Sequence, residues 1–193
     1  MPAAPRRKAN YLLIDISNSY TKIAFATTRR VGSATRIATK QLTSAALRKI
    51  ISTREVDAVV VCSVVPAKDA AVRAAAKALP VLFIDASCAL GVGVDYPQPR
   101  TIGADRLANA AAAAQLYGYP AIVVDFGTAV TFDVVSAAGD YVGGVIAPGL
   151  ESMTNFLYQR TALLPKLTLR EPRTAIGKTT RDAMLAGAIY GYR

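Results

Sequence analysis

The chain has 193 residues, 52% of them hydrophobic, with a mean hydropathy of +0.29 and no histidine. That content fills a globular core and gives no case for disorder, while the missing imidazole excludes a Ser-His-Asp triad, a Cys-His pair and a His-ligated zinc site. The net charge of +10 raises nucleic acid as a partner, but its one dense cluster is Arg6-Arg7-Lys8, and Leu107 to Gln159 carries no Lys or Arg. Aromatic side chains are not interleaved with the cations as base stacking requires, so an anionic small substrate fits at least as well and no nucleic-acid partner is expected.

Residues 10–28 read as a hairpin whose first strand stops at Asp15. A third strand is expected near Thr35 to Lys40, a helix over Ser44 to Ser52 and a buried strand at Ala58 to Cys62. Pro66 stands where helices begin, and Lys68 to Ala78 continues as an Ala-rich helix. Val81 to Ile84 reads as a strand and Ala89 to Pro99 as an irregular loop. Its Gly91-Val92-Gly93 lacks the strand-to-helix context of a dinucleotide fingerprint. Cys62 and Cys88 show no metal or redox spacing and read as two buried thiols.

Asp105 to Leu116 is a strongly Ala-rich helix ending at Gly118. Strands follow at Ala121 to Asp125, Val130 to Ser136 and Tyr141 to Ile146, with Ala138-Gly139-Asp140 as the second turn. Gly149 to Tyr158 and Thr180 to Gly191 read as helices. The pattern divides the chain at residues 1–118 and 119–193, and the second half reads as an incomplete copy of the first. No apolar run is long enough to cross a bilayer, and Asp15 interrupts the first one too early for a secretory signal. A soluble, cytoplasmic protein with no membrane partner is expected.

Two segments carry the chemistry. Leu12 to Lys22 and Ile122 to Thr131 each run apolar strand, Asp, small polar turn, second strand, aligning Asp15 with Asp125, Ser17 with Gly127 and Thr21 with Thr131. Turn N–H groups and hydroxyls donate to phosphate oxygens, and an Asp supplies a hard oxygen for Mg²⁺, directly or through water. One such turn is ordinary hairpin chemistry. Two in corresponding places imply a duplicated domain with two phosphate loops. In a third segment Asp105 and Arg106 open the long helix beside Gly103, where the helix dipole favours an ionised carboxylate. A plain first-turn cap with its salt-bridge partner fits those two residues equally well.

Taken together the segments resemble the type III pantothenate kinases, of the superfamily of actin, the sugar kinases and the heat-shock chaperone ATPases. The first phosphate motif is matched at Asp15, Asn18 and Lys22, the Gly-x-Asp-Arg signature at Gly103, Asp105 and Arg106, and the preceding Tyr-x-x-Pro at Tyr96 and Pro99. The second phosphate motif is matched from Asp125 to Thr131. Segments at Gly143 to Gly149, Thr161 to Pro165 and Ile176 to Thr180 also look familial, so the likeness covers nearly the whole chain in order.

The resemblance implies an α/β fold of duplicated actin-like (ribonuclease H-like) domains and ATP-dependent phosphorylation of pantothenate to 4′-phosphopantothenate, the first step of coenzyme A biosynthesis. It implies Mg²⁺ at Asp15, held through water, with ATP bound by Asp15, Asn18, Ser19 and Lys22 on one side and Gly127, Thr128 and Thr131 on the other. Asp125 would help hold a monovalent cation, K⁺ or NH₄⁺. Asp105 would accept the hydroxyl proton, and Tyr96, Gly103, Ala104, Arg106 and Thr180 would bind pantothenate with it. A homodimer is implied, and the apolar helix Ala183 to Tyr190, with no strand after it, is expected to need a partner's cover. Ser17 stands where the family has glycine, which predicts strain if that position must be left-handed. Ser19 replaces threonine and Gln98 stands where asparagine is common. A nucleotide-binding homologue with impaired catalysis, or another small-molecule kinase on the same fold, stays open as an alternative.

Overall fold

Strand alternation sends every second side chain to the same face of a sheet, and the first hairpin shows what that sorting achieves. The computed structural model describes residues 8–192; Arg6 and Arg7 of the basic cluster lie outside them. Strand β1 (Lys8–Ile16) pairs antiparallel with β2 (Tyr20–Ala26), which pairs antiparallel with β3 (Thr35–Ala38). Helix α1 (Ser44–Ile51) follows, its start capped by the Thr43 hydroxyl accepting the Ala46 N–H at 3.2 Å. Strand β4 (Glu55–Ser63) then lies parallel to β1, and after helix α2 (Pro66–Ala75) strand β5 (Val81–Phe83) lies parallel to β4. The sheet order is β3-β2-β1-β4-β5.

Leu12, Ile14 and Ile16 of β1 and Val59 and Val61 of β4 all point to one face, where Leu47 of α1 and Val72 of α2 close over them. This sealed layer is the larger core, each such side chain contributing about 1.5–3 kcal/mol of burial. Leu13 and Asp15 of β1, and Val60 and Cys62 of β4, necessarily face the other way.

The loop expected to be irregular contains a two-residue strand, β6 (Gly93–Val94), followed after a short 3-10 turn by helix α3 (Ala104–Tyr117). Gly118 ends α3 with φ +82°, a conformation only glycine adopts without strain. Strands β7 (Ala121–Phe126), β8 (Ala129–Val135) and β9 (Asp140–Pro148) complete a second sheet of order β6-β9-β8-β7. The run β9-β8-β7 repeats β3-β2-β1, so the duplication read from the two Asp turns is present in the topology. Helices α4 (Leu150–Arg160) and α5 (Thr180–Tyr190) end the described chain.

Two compact units result. The first holds the residues up to Ala121 with the β8–β9 turn, Val135–Val142; the second holds Ile122–Val134 and the residues from Gly143 onward. Within the first unit a smaller core joins Ile102 and α3 residues Leu107 and Ala110 to Val135 and Tyr141. β6 owes its existence to that turn. Gly93 and Val94 pair with Asp140 and Tyr141, a partnership 47 residues away that two residues of strand cannot announce.

Within the second unit α5 packs on α4, and Leu185, Ala186 and Ala188 are buried. This corrects the expectation that the apolar side of α5 lacks cover from its own chain. Strand β7 forms the end of its sheet, with Ile122 66% and Phe126 70% exposed.

Candidate active site

The register of the first sheet lines up three polar side chains. Asp15 is opposite Lys22 on β2 and opposite Cys62 on β4, so all three share the face away from the sealed core. Lys22 Nζ lies 3.5 Å from Asp15 Oδ2, and the Ser17 hydroxyl donates to Asp15 Oδ1 at 3.4 Å. Both charged side chains reach solvent. Asn18 and Ser19 occupy the exposed tip of the turn, which closes through the Ser17 N–H to the Tyr20 carbonyl at 3.1 Å. No non-glycine residue among those described has a left-handed backbone. The strain anticipated for serine at position 17 is therefore absent, and its side chain supports the Asp15 carboxylate instead.

Two buried threonines hold this turn from behind, and sequence reasoning gave neither that role. The Thr39 hydroxyl donates to the Ser17 carbonyl at 2.7 Å, the Thr39 N–H to the Ser19 carbonyl at 3.1 Å, and the Thr21 and Thr39 hydroxyls lie 3.0 Å apart. Thr39 follows β3, so no local pattern around Ser17 points to it.

Asp105 and Arg106 occupy the first turn of α3, which lies against β4. Asp105 Oδ1 accepts the Arg106 N–H at 2.8 Å and folds back on Gly103, where a Cβ would lie 2.5 Å from it. The Gly103 backbone begins the helix without a side-chain cap, and Ala104 is buried, leaving Asp105 and Arg106 as its chemically useful pair. The Arg106 guanidinium lies 5.7 Å over the Tyr141 ring, and the Tyr96 ring centroid is 6.2 Å from that of Tyr141. Tyr141 also accepts the Asp95 N–H through its carbonyl at 3.0 Å. Fully buried, it joins the Tyr96 loop to the start of α3, a link that only the β6–β9 pairing reveals.

Cys62 connects the two groups electrostatically. Its thiol is pushed up from 9.0 to about 12, first by burial, then by the negative charges of Asp15 and Asp105, with Lys22 opposing. It is half-buried, as is Cys88, and both are free thiols, so neither is the fully buried cysteine expected. Asp15, Lys22 and Cys62 supply the polar lining of a cavity of about 240 Å³ whose remaining wall, including Leu13, Val60 and Ile84, is apolar. An apolar wall beside charged groups strengthens their electrostatics.

In the second unit the turn after β7 is tighter: the Gly127 N–H bonds the Ala129 carbonyl at 2.9 Å, with Asp125, Gly127 and Thr128 exposed. Its support is the start of α4. The Gly149 N–H and the Ser152 hydroxyl both donate to the Thr128 carbonyl, at 2.9 and 2.6 Å. A Cβ at Gly149 would strike the Gly127 and Thr128 carbonyls, so close approach explains that glycine. The Thr131 hydroxyl donates to buried Asp133 Oδ2 at 3.5 Å. At α5 the N-cap is Thr179, whose hydroxyl accepts the Asp182 N–H at 3.1 Å, rather than Thr180, which is exposed as the first helical residue.

The donor set also suits a divalent ion. Among the described residues no three Asp, Glu or Cys side chains gather as a cage. Mg²⁺ on nucleotides characteristically takes one or two carboxylates, with water and phosphate oxygens supplying the rest. Asp15, partly exposed and steadied by Ser17, offers one such ligand.

Two three-stranded units that each turn at an aspartate give the duplicated α/β architecture expected from the likeness to the class of actin-like ATPases and small-molecule kinases. Within that class the chain belongs to the type III pantothenate kinase family, whose sequence profile matches residues 11–193. A type III pantothenate kinase of Akkermansia muciniphila is 48% identical over 189 residues, covering 95% of this chain and 76% of the relative. One from Methylacidiphilum infernorum is 44% identical over 183 residues, covering 94% and 67% respectively. Among solved structures, a Baf family protein of Campylobacter jejuni superposes with a TM-score of 0.59 at 18% identity, over 94% of this chain and 75% of that one. That likeness bears on the fold alone.

Proposed function

We propose that this chain transfers the γ-phosphoryl group of ATP to the primary hydroxyl of pantothenate, as the first step of coenzyme A biosynthesis. Family membership over residues 11–193 supplies the substrates. The observation that supports the mechanism is the register of the first sheet: it sets Asp15 opposite Lys22 on β2 and opposite Cys62 on β4, the strand against which α3, with Asp105 in its first turn, packs.

In this reading Lys22 and the Asn18–Ser19 turn hold the ATP phosphates, with Asp15 directing the Mg²⁺. Held by Asp15, the ion would supply positive charge that offsets the charge of the phosphates. Asp105 takes the proton from the attacking hydroxyl as the oxygen–phosphorus bond forms and the bond to the departing ADP oxygen breaks. Arg106, steadied over Tyr141, pairs with the pantothenate carboxylate, and Tyr96 with Gly103 and Ala104 shapes the pocket around it. Gly127, Thr128 and Thr131 contact ATP from the second turn, Asp125 holds a monovalent cation, and Thr180 contributes to the pantothenate site. Phosphoryl transfer is mostly positioning and charge neutralisation, which suits a chain without histidine. We further propose a cytoplasmic homodimer.

The test is ATP-dependent phosphorylation of pantothenate followed by product mass, with and without K⁺. Formation of 4′-phosphopantothenate that rises with K⁺ supports the reading. Nucleotide binding without product would favour a non-catalytic homologue.

A further inference from the structure

Thr39 holds the first turn from outside its hairpin, 22 residues along the chain from Ser17. Its hydroxyl proton goes to the Ser17 carbonyl at 2.7 Å, which leaves Thr21 to donate across the 3.0 Å between the two hydroxyls. Its N–H takes the Ser19 carbonyl at 3.1 Å. Thr21 and Thr39 are 0% and 3% exposed, so water does not compete for these bonds.

The two tethers have a geometric consequence. A peptide unit is planar and trans, so its N–H points opposite to its C=O. Fixing the Ser17 and Ser19 carbonyls on Thr39 turns the Asn18 and Tyr20 N–H groups to the other side. Without the Thr39 hydroxyl the Ser17 carbonyl loses the 2.7 Å bond that sets its direction, and the Asn18 N–H of the same peptide is less firmly aimed. We infer that Thr39 is a positioning residue for the nucleotide phosphates, orienting the backbone donors of the Asp15–Lys22 turn. This rests on the reading that the turn takes the phosphates of ATP.

The experiment compares Thr39→Val, which keeps the shape and removes the hydroxyl, with Thr39→Ser, which keeps the hydroxyl, and with Lys22→Ala. Mg·ADP affinity is measured by calorimetry, and KM for ATP and for pantothenate by steady-state kinetics. Thr39→Val should weaken Mg·ADP binding and raise the ATP KM by about tenfold, the scale of one lost hydrogen bond. The pantothenate KM should not move, and Thr39→Ser should bind nucleotide like the parent. Should Thr39→Val fail to fold, Thr39→Cys carries the same test with a weak donor, and its affinity should fall between parent and Lys22→Ala. Parent-like nucleotide binding in Thr39→Val, or in Thr39→Cys if that variant is used, overturns the inference; so does an equal rise in both KM values. If Lys22→Ala weakens Mg·ADP binding while the Thr39 variant does not, only the role of Thr39 falls. If Lys22→Ala also binds like the parent, the phosphate reading of the turn falls with it.

Discussion

Asp105 folds back over Gly103 and receives the Arg106 N–H, a geometry that serves either a helix cap or a proton acceptor. The two roles separate under Asp105→Asn, which keeps the shape and an accepting oxygen but loses the basicity. Turnover should fall by roughly two orders of magnitude or more, with ATP binding retained. Unchanged turnover would return Asp105 to capping alone. Ser17 makes a different point. Because its backbone is not left-handed and its hydroxyl reaches Asp15, Ser17→Gly should bring no gain in ATP affinity. It should cost about 0.5–1 kcal/mol of stability through the added freedom of the unfolded chain. A glycine variant that binds ATP more tightly would show that the Cβ is in the way.

Cys62 gives a prediction in pH. Its folded thiol titrates near 12 against a reference of 9.0, so between those values the unfolded chain loses a proton that the folded chain keeps. The contribution is fully present below pH 9 and is lost as pH rises towards 12. Melting temperature should therefore decline more steeply with alkaline pH in the parent than in Cys62→Ala. The folded thiol should also react slowly with iodoacetamide at pH 8, because the neutral form predominates. Matching alkaline slopes in the two proteins would contradict the shift.

Among the elements, α5 offers a clean separation of stability from binding. Thr179→Ala removes the cap and should cost about 1 kcal/mol in denaturant unfolding. Thr180→Ala removes an exposed side chain and should leave stability within about 0.5 kcal/mol while raising the pantothenate KM. Reversal of the two effects would mean that the cap assignment is wrong. The sequence placed that helix start at Thr180, where the structure has it, but could not assign the cap, since Thr179 and Thr180 are chemically equivalent until backbone angles distinguish them. The first hairpin and α3 were legible for a stronger reason: each carries its signal within its own residues, the small polar turn after Asp15 or the Ala-rich run closed by Gly118, although β1 runs one residue past Asp15 to Ile16. What stayed hidden depends on partners far along the chain. β6 needs Asp140 and Tyr141, the Asp15 turn needs Thr39, and the Thr128 turn needs Gly149. In the candidate site, the charged residues announced themselves by type, whereas Thr39 and Tyr141 look in sequence like ordinary strand and turn residues.

The proposed homodimer is open to direct measurement. Multi-angle light scattering at micromolar concentration should give twice the 20.3 kDa chain mass. A fully active monomer would defeat the proposal. The surface that such a pairing uses is a separate matter, and α5 does not dictate it, since Leu185, Ala186 and Ala188 already have cover.

Strand β7 bears on how the protein behaves in a concentrated solution. Among the described residues β7 ends its sheet with backbone donors and acceptors on one side that pair with no strand, and it also displays Ile122 and Phe126. Edges of this kind recruit further chains by hydrogen bonding strand to strand, and proteins commonly guard them with charge, above all lysine. No Lys or Arg occurs between Leu107 and Gln159, so β7 has no cationic gatekeeper in spite of a net charge of +10. Growth by strand addition has no natural stopping point unless a two-fold axis closes it. Ile122→Lys should consequently raise the temperature at which turbidity begins while leaving the far-ultraviolet circular dichroism unchanged. Where the protein carries its positive charge would then matter more to its handling than how much of it there is.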